Sequence, residues 1–128
     1  MKKPPKRTRK RQSPKPSADL RAGITAALDR KAEDVVLLDL SKGSAFTDFF
    51  VICTGTNVRQ VQAIASAVED ALRKSGTRPA LVEGYERGEW VLIDCFDFIF
   101  HIFLPATREF YSLERLWGDA ERIEVSAR

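Results

Sequence analysis

The chain is short of the residues that carry most protein chemistry. Its 128 residues include one histidine, His101, and two cysteines, Cys53 and Cys95. A single histidine allows few nucleophile–base pairings, and no such pair is visible. The two cysteines sit inside apolar runs at a spacing that fits no zinc motif, which predicts reduced core thiols. No run of eighteen apolar residues is present, so no membrane-spanning helix is expected. The first residues carry no apolar stretch of the signal-peptide kind, so the expected location is the cytoplasm. There is no internal repeat and no glycine-rich phosphate loop. Neither a cofactor nor a metal is expected.

Acid is also absent, but only locally. Residues 1–17 contain Lys2, Lys3, Lys6, Arg7, Arg9, Lys10, Arg11 and Lys15 and no aspartate or glutamate. The net charge of +3 therefore hides a division. With eight of the 21 basic residues in the arm, 13 remain against all 18 acids, a formal −5 for the rest. Pro4, Pro5, Pro14 and Pro16 and the lack of apolar residues predict a disordered basic arm over residues 1–16. Such an arm suits polyanions, with RNA the obvious partner, or serves only to keep the chain in solution. An organelle transit segment is a weaker reading, because those are amphipathic and this one is not.

What remains, about residues 17–123, reads as one α/β domain followed by a frayed tail over 124–128. Ser17 is placed to cap a first helix reaching about Arg30, with Leu20, Ile24, Ala27 and Leu28 on its apolar face. Val35–Leu40 and Phe49–Thr54 are continuous apolar runs, as strands buried on both faces are. Asn57, with Gln60 three residues on, opens a second helix whose buried side is Val58, Val61, Ile64, Ala65, Val68 and Leu72. Gly76 ends that helix in a left-handed cap. Ala80–Glu83, Trp90–Asp94 and Asp97–Leu104 read as three further strands, with Pro105 ending the sheet. Phe110, Leu113, Leu116 and Trp117 mark a last short helix stopped at Gly118. The order α-β-β-α-β-β-β-α implies a mixed sheet of about five strands with flanking helices.

The most informative segment is the expected hairpin between Trp90 and Leu104. Taking Cys95-Phe96 as its two-residue turn sets Asp94 opposite Asp97, Leu92 opposite Ile99 and Trp90 opposite His101. Alternation then gives Val91, Ile93, Phe98, Phe100 and Ile102 to a core face. Trp90, Leu92, Asp94, Asp97, Ile99, His101 and Phe103 share the other. A tryptophan among carboxylates has the composition of an interface anchor. The alternative is that a helix covers this face and leaves the aspartates at its rim. A type I turn starting at Asp94 would accommodate Phe96 and point its ring at solvent or a partner. Catalysis is poorly supported. The strand ending at Gly55-Thr56 is similar to the entry of nucleotidyltransferase folds, yet no Asp-x-Asp pair follows at the required distance. Asp94 and Asp97 would make at most a weak magnesium site. Thr47 and Asp48 suit loop hydrogen bonding better than chemistry, and a lone strand histidine is more often structural.

Taken together, these stretches carry a resemblance. Lys31-Ala32-Glu33-Asp34, Thr47-Asp48-Phe49-Phe50-Val51-Ile52, Arg59-Gln60-Val61, Glu83-Gly84-Tyr85, Trp90-Val91-Leu92-Ile93-Asp94, His101-Ile102-Phe103 and the run Arg108–Ala120 follow in order. From about Lys31 to Val125 the chain resembles the ribosomal silencing factor family, also called the Iojap family. The resemblance implies a nucleotidyltransferase-like fold lacking the catalytic carboxylates, and no enzymatic activity. It implies binding to the fourteenth protein of the large ribosomal subunit, at the intersubunit face, so that the small subunit cannot join and translation is repressed. Matching positions point to Glu83, Tyr85, Trp90, Leu92, Asp94 and Asp97 as partner-binding residues, with Phe96 at their edge. Members commonly carry glycine where this chain has Phe96. The arm lies outside the resemblance and would add ribosomal RNA contacts. A role in large-subunit assembly, or general RNA binding through the arm, are the alternatives, and a monomer or weak dimer is expected.

Overall fold

Strands made of unbroken apolar runs need cover on both sides, and the architecture supplies it. The computed structural model describes residues 15–43 and 46–125. Helix α1 (Ala18–Asp29) leads into β1 (Glu33–Asp39) and β2 (Phe49–Thr54), followed by α2 (Val58–Lys74). Three strands come next: β3 (Leu81–Glu83), β4 (Trp90–Asp94) and β5 (Phe98–Phe103). The chain ends in α3 (Pro105–Tyr111), α4 (Leu113–Leu116) and β6 (Glu121–Glu124). The sheet order is β3-β4-β5-β2-β1-β6. Only β2 and β5 run parallel, and the other neighbours are antiparallel. A mixed sheet with flanking helices is thus present, with a sixth strand added.

The first face is closed. Leu37, Val51, Cys53, Val91, Ile93, Phe98, Phe100 and Ile102 pack there against α1 and α2. Gly23 lets α1 approach closely: a Cβ at that position would come within 2.7 Å of the Phe100 ring. Both helices start as their sequences direct. The Ser17 side chain accepts from Leu20 N, and Asn57 from Gln60 N at 2.9 Å. Gln60 does not complete the reciprocal capping bond. Its Oε1 accepts from Thr56 N at 2.7 Å, and its Nε2 reaches the Arg30 and Lys31 carbonyls. Gly76, at φ +91°, closes α2, with Thr77 N returning to Leu72 O.

The second face carries Val36, Leu38, Phe50, Ile52, Ile99 and Phe103, and the C-terminal segment covers it only in part, through Leu113, Trp117 and Ala120. Several expectations are corrected here. Strand β5 stops just before Pro105, as expected, but Pro105 then takes the first turn of α3, where its missing N–H costs nothing, and the sheet resumes with β6. The last helix is two pieces, broken at Ser112 in the left-handed region (φ 48°). Phe110 and Leu116 are exposed rather than buried. Strand pairing continues through Glu124, and Val125 N donates to Val35 O at 3.0 Å, past the expected point of fraying. One guanidinium ties this segment down. Arg108 Nη1 donates to Asp34 O and Thr54 Oγ1, while its Nε and Nη2 grip Glu114. Of the expected arm, residues 1–14 lie outside the described residues, as do 126–128 of the tail. No helix among the described residues is long and apolar enough to cross a membrane.

Candidate functional site

Strand β4 alternates between half-buried and buried positions, which separates Trp90, Leu92 and Asp94 from Val91 and Ile93. Its register with β5 differs from expectation. Trp90 faces Phe103, Leu92 faces His101 and Asp94 faces Ile99. The turn is Phe96-Asp97, not Cys95-Phe96, because Cys95 N already donates to Phe98 O at 2.9 Å. Every pair therefore moves by two residues. An even shift leaves each side chain on its expected face, but Asp94 and Asp97 no longer oppose each other.

The turn itself is not type I. Phe96 has φ +69°, and Asp97 N bonds back to Cys95 O at 2.8 Å, a three-residue turn closed around a left-handed phenylalanine. Three contacts hold it there. Asp94 Oδ1 accepts from Phe96 N (2.9 Å), Thr47 Oγ1 donates to Phe96 O (2.6 Å), and Asp97 O accepts from Asp48 N and Phe49 N. Thr47 is buried and holds a loop. Burial first, then the charges of Asp97 and Asp39, raise Asp48 above the ordinary carboxylate value. The Phe96 ring is 74% exposed, so it does project outward as expected.

Trp90 is fixed on three sides. Its indole N–H donates to His101 Nδ1 at 3.1 Å. Its ring centroid lies 5.0 Å from Phe103 and 4.7 Å from Tyr111. His101 is buried against Phe50 and Phe103, and burial brings its pKa down to about 4. A neutral ring accepting at Nδ1 carries its proton on Nε2, which is buried without a hydrogen-bond partner among the described residues. The histidine therefore orients the indole and has no proton to exchange near neutral pH. The cysteines are free and buried, and burial pushes both thiols up to about 12.

Trp90, Leu92 and Asp94 come together on one face, joined by Glu83, which pairs with Leu92. Phe96 and Asp97 stand at the turn end. Tyr85 stands elsewhere: its hydroxyl is 3.2 Å from Ser66 Oγ on α2, and Gln62 holds its carbonyl. Sequence reasoning missed Tyr111, half exposed against Trp90, and Phe110, 80% exposed and edge-on to Tyr111. Ser112 supplied the only signal. A break there frees both rings from the helical face that periodicity assigns to Phe110.

Comparison with known proteins supports the same fold. Residues 13–128 match the family model described as ribosomal silencing factor during starvation. A ribosomal silencing factor RsfS of Halalkalibacterium halodurans is 42% identical over 106 residues, covering 83% of this chain and 91% of that protein. Its counterpart in Bacillus subtilis is 40% identical, covering 79% and 86%. A crystal structure of a Chromobacterium violaceum protein superposes with a TM-score of 0.78 at 36% identity, covering 88% of this chain and 95% of that one. The chain belongs to the ribosomal silencing factor family.

Proposed function

We propose that the half-open face of the sheet docks on the large ribosomal subunit, through its fourteenth protein at the intersubunit face. Occupying that surface blocks the small subunit from joining and represses translation in the cytoplasm, with no chemistry, cofactor or metal required. One observation carries this reading. Trp90 is held rigidly by His101, Phe103 and Tyr111 while remaining half-exposed beside Leu92 and Asp94. A large ring fixed before binding loses little entropy on docking, which is what an interface anchor needs.

Co-sedimentation with purified large subunits tests it. Trp90→Ala, and separately Asp94→Lys with Asp97→Lys, should each weaken binding by about 30-fold or more, as loss of a central anchor does. Circular dichroism should show the fold retained. Co-sedimentation of both variants at wild-type levels would place the interface elsewhere. Contacts from the basic arm to ribosomal RNA add to this docking. Removing residues 1–16 should then flatten its salt dependence, and unchanged affinity at every salt concentration rejects that contribution.

A further inference from the structure

A second apolar patch lies at the turn end of the sheet, beyond the Trp90 cluster. Phe46 is 75% exposed and Phe96 74%. One hydrogen bond, from Thr47 Oγ1 to Phe96 O, joins their two segments, so both exposed rings stand at the turn end of the sheet. Leu81, also exposed, pairs with Asp94 and extends the patch along β3. Neighbouring large apolar groups left in water mark a contact surface. Its surroundings state what kind of contact. Asp48, Asp94 and Asp97 border the patch, and none of them enters an ion pair among the described residues. A surface that is aromatic and negative fits a ligand that is basic and free of acid.

The chain carries such a segment, and it starts at the right place. Eight basic residues and no acid precede Ala18. The root of the arm is pinned at this end of the molecule. Pro16 O accepts from Arg21 Nη1 at 2.8 Å, and Thr77 Oγ1 donates to Asp19. Three residues beyond Thr77, Ala80 N bonds Asp94 O at 2.8 Å. The charges of Asp94 and Asp19 both act on the Cys95 thiol, one residue from Phe96. Fourteen residues span about 45 Å when extended, so reach is no constraint. Arginine and proline side chains both pack well on aromatic faces, and a short tether gives the arm a high effective concentration.

We propose that residues 1–14 dock on the Phe46–Phe96 patch of the same chain in the free protein, with their basic side chains against Asp48, Asp94 and Asp97. The contact stands independently of the ribosomal reading, but its consequence rests on it. Asp94 belongs to both surfaces, so the arm must leave the patch before the subunit can seat, and RNA is a competing polyanion able to draw it off.

A nitroxide on the full chain tests this. Cys53 and Cys95 are buried with thiols pushed up to about 12, so a label directed to Ser13→Cys reacts at the introduced thiol alone. At about 0.02 M salt the amide signals of Thr47, Asp48, Phe96 and Asp97 should fall below about half, and at about 0.5 M they should recover as screening shortens. Those of Glu69 and Asp70 on α2 should persist throughout. Asp48→Asn with Asp97→Asn and Phe96→Gly should abolish the loss while spectral dispersion reports an intact fold. No loss, or equal loss over all acidic surfaces, overturns the proposal. So does loss of equal size when labelled chains are mixed with unlabelled isotope-enriched ones, which would mean a second copy is reached. Subunit binding is read separately: co-sedimentation of both Trp90→Ala and the Asp94→Lys, Asp97→Lys variant at wild-type levels sinks the docking reading and leaves the arm contact standing.

Discussion

The two faces of the sheet are built from the same strands and do opposite things. The first carries the larger apolar core and is sealed by α1 and α2. The second is buried over β1, β2 and β5, with Leu113, Trp117 and Ala120 packed on it, and it opens toward β4, where Trp90, Leu92 and Asp94 are only half-buried. The closed face supplies stability. The open one keeps a half-exposed tryptophan and carboxylates that a sealed core would exclude, and the stability of the closed face allows it.

That contrast can be broken or sharpened by substitution. The largest effect is expected on the closed face, where Phe100→Ala removes a ring with no exposure packed on Gly23. It should cost about 3–5 kcal/mol in denaturant unfolding. Next comes the clamp on the open side. Arg108→Ala leaves Glu114 with only the longer Arg122 contact at 3.6 Å and frees the Asp34 carbonyl, at about 2 kcal/mol. Amide exchange should rise in α4 and β6 and stay unchanged in α1 and α2. Arg108 also holds the Glu114 carboxyl below its ordinary value, so the clamp is lost as acid protonates that group.

His101 gives a pH test of the open face. It titrates near 6.5 when unfolded and at about 4 when folded. Between those values the unfolded chain binds the extra proton, so stability falls as pH drops from 6.5 toward 4. The fall attributable to this group is up to about 3 kcal/mol. In His101→Phe the difference between unfolding midpoints at pH 7 and pH 4.5 should shrink by most of that amount. The smallest effect has the opposite sign. Phe96→Gly relieves a left-handed backbone and should stabilise by about 1 kcal/mol, seen as a rise of a few degrees in Tm.

The same contrast explains what could be read in advance. Val35–Leu40, Phe49–Thr54 and the α2 face are continuous or periodic apolar patterns, and burial on the closed side follows from them. Even the misplaced hairpin register kept its faces, because the error was two residues. What escaped depended on local backbone outliers or distant partners. Phe96 and Ser112 adopt positive φ that their side chains do not announce. Glu121–Glu124 is charged at three of its positions with Ile123 among them. It becomes a strand only because β1 offers it an edge, from Val36 to Asp39, that is distant in sequence. Trp90, Leu92 and Asp94 were legible as a set; Tyr111, which completes their surface, was hidden behind Ser112.

The pairing of β6 with β1 also sets an order of events. Every helix and strand of the closed face's core lies before Leu104, so α1, α2 and five strands need none of the later elements in order to pack. The strand that meets β1, and the clamp from Glu114 to Arg108, arrive last. Long-range pairing of this kind is slow relative to local contacts. The stable half can therefore form without the C-terminal segment, whereas the docking surface is complete only once Tyr111, the clamp and β6 are in place.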